Sequence, residues 1–165
     1  MEALALSGEE MLAWNERTAL SWKKLAEAHP EMLLLPCDIY GVRTVGQLLQ
    51  HIVAVELRYA QRLAGTAETP YEAIGSDTAE QLFSAHEAAM TGLRVEIAKG
   101  GDWDRPLEFQ TLTMGRVRAS RKSILVHALM HSIRHYAQLA TLVRPHDLKT
   151  EVPMDYLFMG AERVG

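Results

Sequence analysis

Cysteine is almost missing from this chain: Cys37 is the only one in 165 residues. No intramolecular disulfide can form, which fits a reducing compartment. Long apolar runs are missing too. The longest, such as residues 32–36, fall far short of the roughly 20 that span a bilayer. Basic clusters are also absent, and the formal net charge is -4 with a pI of about 6.0. A chain of this kind is poorly suited to holding nucleic-acid phosphates or anionic membrane surfaces. The N-terminal MEALALSGEEMLAW has no basic segment, and Ser7, Glu9 and Glu10 break its apolar stretch. It is not expected to act as a signal peptide, and the cytoplasm is the expected location. There is no internal repeat and no low-complexity segment. Hydrophobic residues at 48% and charged residues at 23% are ordinary for a globular protein, expected here as a single domain over residues 1–165.

Punctuation divides the chain into four long helical stretches. The first covers residues 7–28, where Ser7 and Glu10 form a capping box. Along it Met11, Trp14, Thr18, Trp22 and Leu25 recur at three- and four-residue intervals. Pro30 and Pro36 make the next segment irregular. The second helix starts at Thr44, with Gln47 as capping partner, and stops at Gly65. The third starts near Thr78, with Gln81 in the same relation, and ends at Gly100-Gly101. The fourth runs from near Ser120 to about Val143, before Pro145. Between the third and fourth, in RPLEFQTLTMGRVR, Leu107, Phe109 and Thr111 alternate with polar residues, and Met114-Gly115 can turn the chain. A short hairpin is expected there. Residues 146–165 are left as irregular structure. The pattern predicts an all-α four-helix bundle.

Seven histidines stand at 29, 51, 86, 127, 131, 135 and 146. Three fall on the fourth helix, in HALMHSIRHYAQLATLV. At about 3.6 residues per turn, His127, His131 and His135 make one row on one face. Two imidazoles one turn apart can converge on one ion, as in helices that hold zinc through HExxH. Neither HxxxH here carries that glutamate, so a metalloprotease general base is missing. A straight row of three is too spread to meet at one centre with metal–nitrogen bonds of about 2.0–2.1 Å. A third ligand has to come from another helix, and His51 is the candidate. It stands among Leu48, Leu49, Ile52 and Val55, where an unpaired imidazole is costly to bury. Packed helices lie about 8–10 Å apart, so facing imidazoles can share an ion. Spacing alone leaves two pairings open, His127 with His131 and His131 with His135. Three neutral imidazoles leave at least one position open, as catalytic sites do. With a reference histidine pKa near 6.5, protons should compete with the ion below a pH of about 6. His29, His86 and His146 sit beside loops or on polar faces and are expected to be exposed. Cys37 reads as a small buried apolar residue.

LLQHIVAVELRYAQRL and HALMHSIRHYAQLATLVR, and nearly the whole chain with them, resemble the DinB/YfiT-like family, bacterial four-helix bundles grouped as metalloenzymes. In that family a histidine early in the second helix joins two from an HxxxH near the end of the chain. The matching positions here are His51, His131 and His135, which favours the later pair and leaves His127 in a supporting place. Family members often read H-x-x-x-H-x-x-H-H-R-G-Q. This chain keeps His127, His131, His135 and Gln138 and departs at Arg134, Tyr136 and Ala137. Those departures fall on residues expected to meet a substrate, so no particular substrate carries over. The resemblance also implies an up-down-down-up bundle with a crossover between the second and third helices. It further implies a homodimer, for which Trp14, Leu20 and Trp22 of the first helix offer an apolar surface.

The expected function is that of a metal-dependent enzyme acting on a small molecule. A divalent ion held by three imidazoles, zinc or nickel above all, lowers the pKa of a bound water or thiol. That serves hydrolysis or S-transfer. Some relatives look like transferases or isomerases that use bacillithiol, mycothiol or glutathione, which makes a low-molecular-weight thiol the expected partner. Gln138, about one turn beyond His135, is placed to orient a ligand of the ion, and Tyr59 to face the cleft. Glu56 lies about 140° around the second helix from His51 and is not a candidate base. The competing readings are a non-enzymatic metal-binding or stress-response partner and a structural dimer with a buried histidine network.

Overall fold

The computed structural model describes residues 5–39, 41–111, 113–162 and 164. Capping sets the helix starts. Ser7 Oγ accepts from the Glu10 amide, and the Ser7 amide donates to Glu10 Oε2 at 2.8 Å, which opens α1 (Gly8–Ala28) with the expected capping box. Thr44 and Thr78 open α2 (Val45–Ala64) and α3 (Ala79–Lys99) by accepting from the amides of Gln47 and Gln81. The two glutamine side chains reach one residue further out than a capping box requires. They accept from Arg43 N–H at 2.8 Å and Asp77 N–H at 3.3 Å. Ser120 caps α4 (Arg121–Val143). Gly65 closes α2 in the left-handed conformation, φ 71°, which a side chain would strain.

Two apolar clusters fill the bundle and fix its topology. One joins Trp22 and Leu25 of α1, Leu48 and Ile52 of α2, Leu82 and Phe83 of α3, and Tyr136 and Val143 of α4. The other joins Met11 and Leu12, Ala60 and Leu63, Met90 and Leu93, and Ile124 and Leu129. Helices α1 and α4 therefore run from the second cluster to the first, and α2 and α3 run back. This is the up-down-down-up bundle that the family resemblance implied, with residues 65–78 as the crossover between two parallel helices. Helix α2 packs against α3 and α4, so α2 and α4 are antiparallel neighbours.

A polar layer separates the clusters: Asn15 and Thr18 of α1, Glu56 of α2, His86 of α3 and Ser132 of α4 are all buried. Most of it is satisfied internally, as where Asn15 Nδ2 donates to the Leu129 carbonyl at 3.1 Å and Ser132 Oγ to the Ala128 carbonyl at 3.0 Å. Asn15 Oδ1 and Glu56 Oε1 have no partner among the described residues. Cys37 is buried in the first cluster, as its surroundings predicted.

The hairpin forms where the alternation placed it. Strands β1 (Pro106–Thr111) and β2 (Gly115–Ser120) pair antiparallel, with Phe109 opposite Val117, and Leu107 and Phe109 pack on the second cluster. The C-terminal segment is more ordered than expected. Its short helical turns, Arg144–His146 and Tyr156–Met159, bracket a strap laid on α1. Trp14 Nε1 donates to the Met154 carbonyl at 2.6 Å, Trp22 Nε1 reaches Met154 Sδ at 3.3 Å, and the Tyr156 ring stands edge-on to Trp14. Arg17 donates to the Phe158 carbonyl. The apolar surface expected on the first helix is corrected by these contacts. Trp22 lies in the core and Trp14 under the strap, so Leu20, 53% exposed, is the one member of that surface left open. Among the described residues, no helix is long and apolar enough to cross a membrane.

Candidate metal centre

His131 and His135 lie one turn apart on the buried side of α4, and His51 faces them from α2, half-buried. His51 Nε2 is 3.1 Å from His131 Nε2, and His135 Nε2 is 3.2 Å from the same atom. In a tetrahedral set with bonds of about 2.0–2.1 Å, nitrogens lie about 3.3–3.4 Å apart. Two separations thus approach that spacing, and all three ligand atoms fall within 4.8 Å of one another. His127 is outside this group. Its ring packs 5.4 Å from that of His131 and 5.3 Å from that of Tyr59. Of the two pairings left open by spacing, the structure brings His131 and His135 to the common point.

Gln138 sits beside the group and acts on a ring. Its Oε1 is 2.6 Å from His135 Nδ1. A carbonyl oxygen can only accept, so Nδ1 carries the proton and Nε2 keeps its lone pair toward the cluster. Arg134 donates to that lone pair at 3.0 Å. Tyr59 faces His127 and the hairpin, edge-on to Phe109, with the Arg62 guanidinium 4.5 Å above its ring. His131 Nδ1 is buried without a partner among the described residues.

The electrostatics suit neutral imidazoles. Burial, then the neighbouring His135 and Arg134, pushes His51 down to about 4. Burial, then the other three histidines and Arg134, pushes His131 down to about 2. His135 is lowered by burial and Arg134 against the Gln138 hydrogen bond, and His127 is lowered by burial and Arg134. Lone pairs stay available in the range where a metal ligand must be unprotonated. Three imidazole nitrogens, one tautomer fixed by an amide, fit a divalent metal ion. A family model described as DinB family matches residues 1–160. The chain belongs to the DinB family. No curated protein matches it.

Within this DinB-family bundle, other sites departed from expectation. His86 is not exposed. It is buried in the polar layer with its Nδ1 2.7 Å from Glu56 Oε2, itself completely buried. Burial alone would lower it, but the Glu56 charge and hydrogen bond prevail, helped by Glu16 and Glu87, and its pKa is raised. The signal was present: Glu56 and His86 both stand on the apolar stripes of their helices, Ile52–Glu56–Ala60 and Phe83–His86–Met90. His146 is exposed as expected, and His29, half-buried overall, meets Glu31 at 3.3 Å. Of the three departures from the family pattern, Tyr136 is corrected: it lies wholly in the core, stacked on Trp22. Ala137 is exposed, and Arg134 alone of the three touches the cluster. A groove of about 230 Å³ lies between α1 and α3, lined by Leu20, Phe83, His86 and Met90 among others. None of the clustered histidines lines it.

Proposed function

We propose that this DinB-family protein is a metal-dependent enzyme whose divalent ion, zinc or nickel, is held by His51, His131 and His135. The observation that carries the reading is the convergence of three Nε2 atoms from two antiparallel helices, with two of the separations at 3.1 and 3.2 Å. Without a shared ion, tautomer-dependent N–H···N hydrogen bonds would have to serve both contacts to the one His131 Nε2 atom. When bound, such an ion supplies Lewis acidity and lowers the pKa of whatever small ligand takes its open position. The chain's own residues do the rest. Gln138 holds the His135 ring with Nε2 inward, and burial keeps the imidazoles unprotonated. His127 and Tyr59 form the flanking wall. Among the described residues no carboxylate belongs to the group, and Glu56 is paired with His86. A thiol, with a free pKa of about 8.5, gives up its proton to solvent more readily than water does, so S-transfer from a low-molecular-weight thiol to a small molecule is preferred over hydrolysis. A homodimer in the cytoplasm completes the proposal. Metal analysis of protein purified without a histidine tag tests it. About one ion per chain, lost in His131→Ala, is the expected result. A metal-free wild type that gains no stability on adding zinc or nickel would leave the histidines as a buried polar network.

A further inference from the structure

The candidate centre does not balance its own charge. Its donors are three neutral imidazoles, no carboxylate joins them among the described residues, and the group oriented against His135 is the uncharged Gln138 amide. Any divalent ion there brings two positive charges, and Arg134 adds another beside it. Arg134 is exposed, its guanidinium is 3.0 Å from His135 Nε2, and no carboxylate pairs with it among the described residues. Arg62, which covers Tyr59 next to His127, is already held by Glu68 at 2.7 Å. Arg134 is thus a cation with no carboxylate partner among the described residues, placed against a nitrogen that an ion would use. Like charges this close repel, and the field they make attracts an anion.

We propose that the site takes a small molecule bearing a carboxylate, which the Arg134 guanidinium holds beside the ion. This rests on the metal-enzyme reading above. A carboxylate is the anion that a single guanidinium matches, through two parallel N–H···O bonds. A phosphate dianion would call for further cationic donors, and the neighbouring arginine is already paired. Binding the anion also draws the guanidinium off the His135 lone pair, so the substrate and the ion favour each other.

The test reads zinc affinity, not turnover. Zinc is competed against a chromophoric chelator for the wild type and Arg134→Gln, with and without acetate, at an ionic strength held constant with perchlorate. Arg134 is exposed, and matching far-ultraviolet spectra check that the variant keeps its fold. Without acetate, the variant should bind zinc about three- to tenfold more tightly, because a nearby cation is gone. Acetate should tighten zinc binding several-fold in the wild type and hardly at all in the variant. Arg134→Lys, which keeps the charge without the planar fork, should show a smaller acetate effect than the wild type. Equal acetate effects in the wild type and Arg134→Gln overturn the carboxylate proposal and leave the metal centre standing. No zinc binding by the wild type overturns the metal centre, and the proposal with it.

Discussion

On the α2–α4 face His51 and His131 are held neutral far below the ordinary histidine range, whereas in the polar layer on α3 His86 is pushed above it. Burial acts alike on all three, disfavouring the imidazolium. What differs is the neighbour. His51 and His131 meet other imidazoles and Arg134, while His86 meets the buried Glu56 carboxylate. One bundle thereby makes clustered neutral histidines that could hold a metal ion and an ion-paired histidine from the same residue type, and the choice lies in the residue supplied by the facing helix. Neither kind of site is completed by its own helix alone.

The comparison breaks most visibly at Glu56. Replacing it by Ala leaves a buried imidazole without its counter-charge and should cost about 3–5 kcal/mol in urea unfolding. A loss under about 1 kcal/mol would mean that His86 is not ionised in the folded protein. The double variant Glu56→Leu, His86→Leu should recover most of that loss, because a well-packed apolar pair often replaces a buried ion pair without penalty.

The metal face should answer to the ion instead. With zinc at about 100 times its dissociation constant, the wild type should gain about 2.7 kcal/mol. His51→Ala, His131→Ala and His135→Ala should each lose that gain, and His127→Ala should keep most of it. A full gain in His135→Ala together with loss in His127→Ala would reverse the assignment. Gln138→Ala, which releases the His135 tautomer, should weaken zinc binding by about 10–100-fold, read by chelator competition. Unchanged affinity would show that the amide does not set the ring.

Acid and base should act on the two regions with opposite sign, and this is the smallest effect. His51 is lowered to about 4 in the fold. In chelator its contribution therefore holds above the unfolded value near 6.5 and is lost as the pH falls toward 4. The raised His86 contributes fully below about 6.5, and that contribution fades as the pH rises through its folded value. In melting temperatures across pH, His51→Ala should flatten the acid limb, and Glu56→Gln should flatten the decline above neutrality. The zinc-dependent gain should also survive below the pH of about 6 that the reference histidine pKa suggests. If neither variant changes its limb, the neighbours do not control these rings.

The helices and their caps were legible because they depend on residues three or four apart. Ser7 with Glu10 and Thr44 with Gln47 are local rules, and the alternation of Leu107, Phe109 and Thr111 gave the hairpin. The histidine row on α4 was legible for the same reason, and His51 stood out as a polar residue on an apolar stripe. Glu56 and His86 stood out by that criterion too, but their pairing crosses from α2 to α3, and no spacing within one helix contains it. The strap was hidden for a related reason. Met154 and Tyr156 are some 140 residues from Trp14, and their segment has no periodicity to show what it covers. Side chains of α1 that looked available for a second copy were committed to the chain's own end.

That strap decides what the protein's intrinsic fluorescence measures. Of three tryptophans, Trp14 and Trp22 both contact Met154, and Trp103 lies beneath the Arg121 guanidinium. Emission is therefore weighted toward docking of the last segment, while circular dichroism is weighted toward the four helices. If the strap lets go first on heating, the emission curve will lead the ellipticity curve with the bundle still intact. Non-coincident melts in this protein would then report a detached tail rather than a partly folded core.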